Sequence, residues 1–540
     1  MKKRPQQIKN VIFLTIDSLR YDRLNYAGYP IRQSPTINYL AKNGINCVNT
    51  FTHGCPSQFA FPSIFTSTLP LSNGGYDRGI KDRDASLVEV LRDNNFYTCG
   101  FSTSYWISKF FYYHRGFTEF HQVLGIDYFW KNIKSIYIDH LVDTKNKGLI
   151  TDKQFMEKLS FLFKETIEYA IEYHEEIARQ PNFLRRNRDI HRYEYDSILK
   201  LLSSELEYLR KNMYSLNKVD EFYHKMSKVG VEPFMKSGHT RKLNFREKLI
   251  YKFREILTRN LIKDTEFRSV SAEYLKDIII DWIDKNSRQP FFLWTHFLDV
   301  HNGNFTTGRL NFPPIFRNFS DRLRMAGKYY GDITYDAAVK YVDKQIGKII
   351  LFLKQNKLLD NTLIVITSDH GNTAGAPGRN LRSAGNFYEE FVKIPLIFYN
   401  PNLTPQTISN LCCSMDIAPT ILSLLGLPPA KEFCGLDVTS PRITQRKHII
   451  LEHTYRGACD IKHKPIYLSV RTNQYKYIWR EFIDKKDVWA KNKLELYDLG
   501  KDPWERINVI NVPEYKDVEE ELEKVVEDRF KEVGLVNRIT

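Results

Sequence analysis

Two largely apolar runs, each ending in an acidic residue, constrain the fold of this chain more than any other feature. Residues 11–16 run directly into Asp17, and residues 363–367 run through Ser368 into Asp369. A strand that is apolar on both faces must be covered on both faces, which is typical of a parallel sheet between layers of helices. In such a sheet, ligands bind at the carboxyl ends of the strands. The runs therefore predict an α/β fold with a site at one sheet edge.

Alternating strand and helix signals extend this pattern. Further buried strands are predicted at residues 97–101, 291–294 and 394–398, and helices at 35–42, 87–91 and 336–353. This order predicts a doubly wound, mostly parallel central sheet with helices on both faces.

Two other segments have a different residue pattern, one within the α/β pattern and one after it. Between about 126 and 280, glycine and proline become scarce and long amphipathic stretches predict a helical insertion. From about 445, short alternating strands and a final charged helix predict a small α+β C-terminal unit. The predicted boundaries are 1–125 with 281–440 for the α/β catalytic domain, 126–280 for the insertion, and 441–540 for the C-terminal subdomain.

Composition excludes several classes of protein. A hydrophobic content of 42%, with 35 Phe and 32 Tyr, is too high for a disordered chain. No run of about 18 apolar residues occurs, so no transmembrane helix is predicted. The run at 11–16 is shorter than a signal peptide needs, and we expect a cytoplasmic protein. Seven scattered cysteines without zinc-site spacing predict reduced thiols.

The formal charge of +15 predicts an anionic partner or substrate. No helix-turn-helix, finger or RNP-like motif supports nucleic-acid binding. A basic surface that concentrates a small anionic substrate is at least as consistent with the charge.

Four polar segments directly follow predicted strands. They are Asp17 with Ser18 and Arg20, the loop 54–58, the segment 296–301, and the segment 368–371. Each alone is explained better by a helix cap or a core histidine than by a functional site. Together they bring two carboxylates, imidazoles and a hydroxyl to one edge of the sheet. That donor set suits a divalent cation and an activated oxygen nucleophile.

Seven ordered segments resemble the sulfatase branch of the alkaline phosphatase superfamily. They are residues 10–20 (NVIFLTIDSLR), 34–37 (SPTI), 61–67 (FPSIFTS), 296–301 (HFLDVH), 361–371 (NTLIVITSDHG), 416–420 (DIAPT) and 495–505 (ELYDLGKDPWE). The resemblance covers the chain from start to finish except for the predicted insertion.

The resemblance implies a role for particular residues. Asp17, Asp369 and His370 are the implied ligands of one divalent cation, which could be Ca²⁺, Mg²⁺, Mn²⁺ or Zn²⁺. Counting back nine residues from Thr66 places Ser57 at the position of the nucleophile, on the metal. His301 resembles the histidine that contacts the ester or protonates its leaving group.

Two departures from the family pattern matter. The Cys/Ser-x-Pro-x-Arg signal for formylglycine maturation is missing, because Ser57 is followed by Gln-Phe-Ala-Phe. Direct attack by the serine hydroxyl is therefore expected, with Cys55 as a rival nucleophile. The His or Lys that relatives place before Gly385 is Ala384 here, which predicts a single metal.

Three further residues are candidates for contacting the substrate. Arg382 or Arg379 could supply the missing positive charge to the ester oxygens, or could be an ordinary surface charge. His453 follows a predicted C-terminal strand and is either a residue at the rim of the site or a core histidine. Cys55 belongs to the same set if it is not the nucleophile.

The leading hypothesis is a metal-dependent hydrolase of sulfate or phosphate esters that uses a metal-bound seryl nucleophile. One alternative is a transferase that moves a phospho-group onto a glycan or lipid alcohol. A second alternative is a non-catalytic protein that binds an anionic polymer.

Overall fold

The computed structural model describes residues 8–123, 129–130, 132–179, 192–228, 271–301, 330–372, 387–454, 461–482 and 492–535. The chain divides into two compact units, one formed by residues 1–123 with 269–540 and the other by residues 124–268. The predicted three-part domain boundaries stay a prediction.

The first unit contains thirteen described strands. They are β1 (Asn10–Ile16), β2 (Ile45–Phe51), β3 (Tyr97–Ser102), β4 (Glu119–Gln122), β5 (Phe291–Phe297), β6 (Thr362–Ser368), β7 (Lys393–Tyr399), β8 (Gln406–Ile408), β9 (Cys412–Cys413), β10 (Ile449–Thr454), β11 (Ile466–Arg471), β12 (Tyr475–Arg480) and β13 (Leu494–Asp498).

The described α-helices fall in both units. They are α1 (Pro35–Asn43), α2 (Ser57–Thr66), α3 (Leu87–Asp93), α4 (Asp139–Asn146), α5 (Asp152–Arg179), α6 (Arg192–Lys211), α7 (Leu216–Lys228), α8 (Ala272–Asn286), α9 (Tyr330–Gln355), α10 (Glu389–Val392), α11 (Ile417–Leu424) and α12 (Lys516–Glu532). Helices α4 to α7 belong to the second unit.

The central sheet has nine strands in the order β4-β3-β5-β1-β6-β7-β2-β8, with β9 paired to β2. β1 lies between β5 and β6 and is parallel to both, so that Thr15 is opposite His296 and Ile16 is opposite Ser368. β1, β5 and β6 are buried along their whole length. These features confirm the predicted α/β fold with a mostly parallel sheet.

Two strands differ from the sequence expectation. β7 was expected to continue the parallel pattern, but it is antiparallel to both β6 and β2. The loop 54–58 was expected to follow a strand, but no range was predicted for that strand, β2, because Asn46 and Asn49 interrupt its apolar pattern. A bulge between Cys47 and Thr50 also shifts its register. Apolar character alone reports burial and not strand direction.

Local sequence signals set the ends of the helices near the sheet. α3 begins with a capping box, in which Ser86 and Glu89 each accept from the other's backbone N–H. α1 begins with Pro35, whose missing N–H costs nothing in the first turn. α1 ends at Asn43 and is followed by Gly44, where a Cβ atom would lie 2.4 Å from the carbonyl oxygen of Phe398.

The C-terminal part of the first unit is a four-stranded antiparallel sheet in the order β10-β11-β12-β13. α12 covers it through one apolar stripe, Leu522, Val526 and Phe530, which packs against β11 residues such as Leu468. The i, i+4, i+8 spacing of the stripe is that of an amphipathic helix. This sheet and helix confirm the small C-terminal α+β unit.

The second unit is helical and has an aromatic core. Phe163 lies between Tyr214 and Phe222, and Trp130 also contacts Phe222, with ring centroids 4.8 to 5.8 Å apart. The helical insertion expected from the sequence is therefore present.

Two findings bear on the environment of the protein. None of the helices in the described residues combines the length and the apolar character needed to cross a bilayer. The six described cysteines are free, and Cys459 lies outside the described residues.

Candidate active site

The carboxyl ends of β1 and β6 bring together the residues implied as metal ligands. Asp17 and Asp369 each follow the last residue of their strand, and those last residues, Ile16 and Ser368, are register partners. The side-chain ligand atoms of Asp17, Asp369 and His370 all lie within 4.8 Å of one another, and all three residues are buried. A divalent cation between them would need only small side-chain adjustments.

Ser18 fixes the orientation of both carboxylates. Its backbone adopts a left-handed conformation (φ 62°), which turns the chain sharply after β1. Its hydroxyl donates to Asp17 Oδ1 at 2.7 Å, and its N–H donates to Asp369 Oδ1 at 3.0 Å. The His370 N–H also donates to Asp369 Oδ1, at 2.8 Å. The Oδ2 atom of Asp369 accepts no hydrogen bond from the described residues.

Two buried ligand atoms in this cluster have no hydrogen-bond partner among the described residues: Asp369 Oδ2 and His370 Nε2. They lie 3.5 Å apart. His370 Nδ1 faces the carbonyl oxygen of Gly371 at 2.7 Å, so Nδ1 donates and the lone pair of Nε2 faces the carboxylates. Leaving two such atoms buried and unpaired is costly, and a cation would satisfy both. The residues present therefore fit a divalent cation.

The electrostatics of the cluster also favour a positive charge. Burial opposes protonation of His370, but the carboxylate of Asp369, together with Cys55 and Asp17, raises the pKa of His370 well above its ordinary value. Burial opposes ionisation of Asp17, but His301, His296 and His370 hold the pKa of Asp17 below its ordinary value. A bound cation would replace the proton in this role.

Ser57 lies beside this cluster as the first residue of α2. It is buried, and its hydroxyl donates to Asp17 Oδ2 at 3.4 Å. The first backbone N–H groups of a helix have no intrahelical acceptor and carry partial positive charge. An alkoxide at this position would therefore be stabilised by the helix as well as by a cation. From the sequence we predicted a nucleophile at residue 57, but we identified the residues after it only as an apolar segment and not as a helix.

The residues that replace the maturation signal belong to the core. Phe61 stands where the signal has arginine, and its ring lies edge-on to His296 at 5.0 Å. Phe59 stands where the signal has proline, and it packs between Tyr76 and His453 at 4.2 and 4.1 Å. Both phenylalanines are buried.

The sequence missed the role of His296. Its Nε2 lies 3.2 Å from Asp17 Oδ2, and its Nδ1 lies 2.9 Å from Thr15 Oγ1. Because an ionised carboxylate can only accept a hydrogen bond, Nε2 carries the proton and donates a hydrogen bond to Asp17. The pairing of β1 with β5 explains this role, because His296 is the register partner of Thr15, which lies two residues before Asp17.

The remaining candidate residues are placed as follows. His301 lies on the loop after β5, exposed, and its carbonyl oxygen accepts from Asn372 Nδ2 at 3.1 Å. Cys55 is half-buried and contributes to the pKa of His370. His453 is buried and stacks between Phe59 and Tyr467. Arg379 and Arg382 lie outside the described residues. The assigned roles of these residues stay predictions.

Comparison with known proteins identifies the class and then the family. The mixed, mostly parallel sheet, with a cluster of carboxylates and imidazole at the carboxyl ends of its strands, defines an α/β protein. Residues 9–184 and 191–427 match the family profile described as Sulfatase. Residues 385–532 match the profile described as N-sulphoglucosamine sulphohydrolase, C-terminal. The chain belongs to the sulfatase family.

Individual relatives are similar over shorter stretches. An N-acetylglucosamine-6-O-sulfatase of Bacteroides thetaiotaomicron is 30% identical over 206 residues, 37% of this chain and 35% of the relative. A choline-sulfatase of Rhizobium meliloti is 26% identical over 184 residues, 33% of each chain. The chain thus spans about a third of the length of these curated relatives.

The fold also matches solved structures. The phosphonate monoester hydrolase of Agrobacterium radiobacter superposes with a TM-score of 0.56, at 17% identity, covering 98% of this chain and 96% of the other. At this identity the likeness concerns the fold alone.

Proposed function

We propose that this protein is a metal-dependent hydrolase of sulfate or phosphate esters, with Ser57 as the nucleophile. The observation that carries the proposal is the buried cluster of Asp17, Asp369 and His370 with the Ser57 hydroxyl beside it. Family membership supports the reaction class, and the two unpartnered ligand atoms support a resident cation.

Asp17, Asp369 and His370 would hold the cation. When bound, it would lower the pKa of the Ser57 hydroxyl and neutralise charge on the ester oxygens. The donor set combines oxygen and imidazole ligands, which suits Mg²⁺, Mn²⁺, Ca²⁺ or Zn²⁺. We expect one cation in this site, because a single cluster of ligands surrounds Ser57 among the described residues.

Ser57 attacks the sulfur or phosphorus atom in the first step. The Oγ–H proton is released to water, a bond forms from Oγ to that atom, the bond to the leaving alcohol breaks, and protonated His301 gives the leaving oxygen a proton. Water then attacks the same sulfur or phosphorus atom and gives one proton to His301. The bond to Oγ breaks, Oγ regains a proton from water, and the sulfate or phosphate product leaves. His296 holds Asp17 in place through both steps, and the N-terminus of α2 stabilises charge on Oγ.

The substrate is proposed to be an anionic ester, on a glycan, a lipid or a small alcohol. The relatives are named for sulfate esters of N-acetylglucosamine and choline, and a structural neighbour for phosphonate monoesters. The net charge of +15 supports a substrate that is negatively charged.

Direct attack by the hydroxyl is proposed in place of formylglycine chemistry. Phe59 and Phe61 are fixed in the core where the maturation signal has proline and arginine, so the segment lacks the side chains of that signal. Cys55 is the alternative nucleophile.

We further propose a cytoplasmic location. Four of the free cysteines, Cys47, Cys99, Cys412 and Cys413, are buried as thiols, which is typical of a reducing compartment.

Turnover on a panel of esters tests this proposal. Wild-type protein would be assayed with added Mg²⁺, Mn²⁺, Ca²⁺ or Zn²⁺ on an aryl sulfate, a phosphate monoester, a phosphodiester and a phosphonate monoester. We expect turnover of at least one class, reduced at least about 1,000-fold in Ser57→Ala.

Ser63→Ala is the matched control, because Ser63 is another buried serine of α2 whose hydroxyl donates to the Thr68 carbonyl. Mass analysis of the peptide across residue 57 would distinguish serine, formylglycine and a trapped ester. Full activity in Ser57→Ala, or loss of activity in Cys55→Ser alone, would overturn the assignment of the nucleophile.

A further inference from the structure

A second group of metal-ligand side chains lies on β3 and β4, at the side of the central sheet where β4 is the outermost strand. β3 and β4 are parallel, and Cys99 is the register partner of Glu119. Register partners lie on the same face of a sheet, and so do residues two apart along a strand. Cys99, Glu119 and His121 therefore share one face, and their ligand atoms all lie within 4.8 Å of one another.

Neighbouring side chains hold two of these ligands in place. Glu119 Oε1 accepts from the Tyr97 hydroxyl at 2.6 Å, and Oε2 accepts from Trp282 Nε1 at 3.2 Å. His121 Nε2 lies 3.0 Å from Glu119 Oε2, and the His121 ring stacks on Phe101 at 5.1 Å. Outer hydrogen bonds of this kind orient metal ligands and preserve their geometry.

The cluster is accessible from one side and apolar on the other. The side chains of Glu119 and His121 are 30% and 26% exposed, which leaves a path for a hydrated ion. Cys99 is buried. A cation bound between its thiolate and the Glu119 carboxylate would balance their two negative charges.

We propose that Cys99, Glu119 and His121 bind a borderline divalent cation of the zinc type. Thiolate, imidazole and carboxylate are the ligands that zinc prefers, whereas Ca²⁺ and Mg²⁺ prefer oxygen alone. Metal–ligand bonds of about 2.0–2.3 Å would place the ligand atoms roughly 3.3–3.8 Å apart. The present separations are at most 4.8 Å, so the most distant pair would need to move closer by no more than about 1–1.5 Å.

This site is separate from the candidate active site. In the sheet, β3 and β5 lie between β4 and β1, and the two clusters share no residue. A cation here would cross-link the edge strand β4 to β3. It would also hold Trp282 of α8 in place, through the hydrogen bond from Trp282 to Glu119.

Titration of the metal-free full-length protein with Co²⁺ tests the proposal. Cobalt replaces zinc in such sites, and a bound thiolate gives a near-ultraviolet charge-transfer band. We expect this band in wild type and in Asp369→Asn, which changes the active-site cluster only. We expect the band to disappear in Cys99→Ser. In His121→Gln, we expect the affinity for Co²⁺, measured from the band during the titration, to fall at least about tenfold. Added Zn²⁺ should abolish the band in wild type.

Cys55→Ser is the matched control, because Cys55 is the thiol beside the other cluster. A band that persists in Cys99→Ser, or that disappears in Cys55→Ser alone, would overturn the proposal. Zn²⁺ should also raise the melting temperature of Asp369→Asn, and raise that of Asp369→Asn/His121→Gln by less. Equal rises in both proteins would contradict the proposal even if Cys99→Ser failed to fold.

Discussion

His296 orients the Oδ2 atom of Asp17, as Ser18 orients the Oδ1 atom. It donates to Asp17 Oδ2 from one ring nitrogen and contacts Thr15 with the other, inside a buried sheet. Replacing a residue that orients a metal ligand typically costs 10- to 100-fold in metal affinity or activity. We expect His296→Ala to lower kcat/KM and metal affinity together, by about this factor.

Isothermal titration with Mn²⁺ and steady-state assays of the same preparations measure the two quantities. Thr98→Val is the control, since Thr98 is a buried residue of β3 whose hydroxyl donates to the Gly116 carbonyl. Unchanged metal affinity in His296→Ala would show that His296 does not position Asp17.

His453 makes stability depend on pH. Burial lowers the pKa of His453 to about 3, and the charge of Lys464 acts in the same direction. Its two ring nitrogens have no hydrogen-bond partner among the described residues. Between pH 7 and pH 5 the unfolded chain gains a proton at this residue and the folded protein does not. The folded state therefore loses about 2 kcal/mol over that interval as pH falls.

The substitution His453→Phe keeps a ring between Phe59 and Tyr467 but removes the titrating group. We expect the stability gain of the variant over wild type to grow as pH falls from 7 to 5. Urea denaturation at the two pH values measures it. A constant difference would contradict the account, and loss of turnover would favour the predicted contact with substrate.

At the scale of elements, α10 connects the C-terminal sheet to the candidate active site. Lys476 of β12 is fully buried and contacts Glu389 and Glu505 at 2.9 and 2.5 Å. Its ammonium also donates to the Phe387 carbonyl at 2.7 Å. At the other end of α10, the Phe391 carbonyl accepts from the N–H of Gly371 at 2.6 Å, directly after His370.

This chain of contacts predicts that Lys476→Met acts at a distance. Removing one partner of a buried ion pair leaves an uncompensated charge and costs about 3–5 kcal/mol. We expect a lower free energy of unfolding and, in protein that remains folded, weaker metal binding through displaced α10.

Lys501→Met is the control, because Lys501 is an exposed lysine that pairs with Asp498 at 3.7 Å on the same sheet. We expect no measurable effect from it. Equal effects of the two substitutions would contradict the proposed connection.

The elements that the sequence predicted correctly are those whose burial is uniform. β1 and β6 are buried on both faces, so their apolar runs identified both the strands and the acidic residues after them. No range was predicted for β2, because its polar residues and bulge break the pattern. The direction of β7 depends on a topology that periodicity does not encode. The segment 296–301 was predicted at the site, but His296 was given no role of its own. Its role depends on the pairing of β1 with β5, and the two strands are separated by about 280 residues of sequence.

At the scale of the whole molecule, the charge of +15 predicts that substrate capture depends on salt. A positive field raises the association rate of anions, and ions in solution screen it within about 8–10 Å at 0.1–0.15 M. We expect kcat/KM to fall as NaCl rises, and to fall more steeply for a dianionic phosphate monoester than for a monoanionic diester. Equal slopes for the two substrates would contradict electrostatic capture.

The central claim is that Asp17, Asp369 and His370 together hold one divalent cation beside Ser57. Crystals of the protein soaked with Mn²⁺ would place the ion directly by anomalous scattering. We predict one strong peak within about 2.0–2.6 Å of a ligand atom from each of the three residues, next to the Ser57 hydroxyl. An active protein whose crystals show no manganese peak between these side chains would contradict the account.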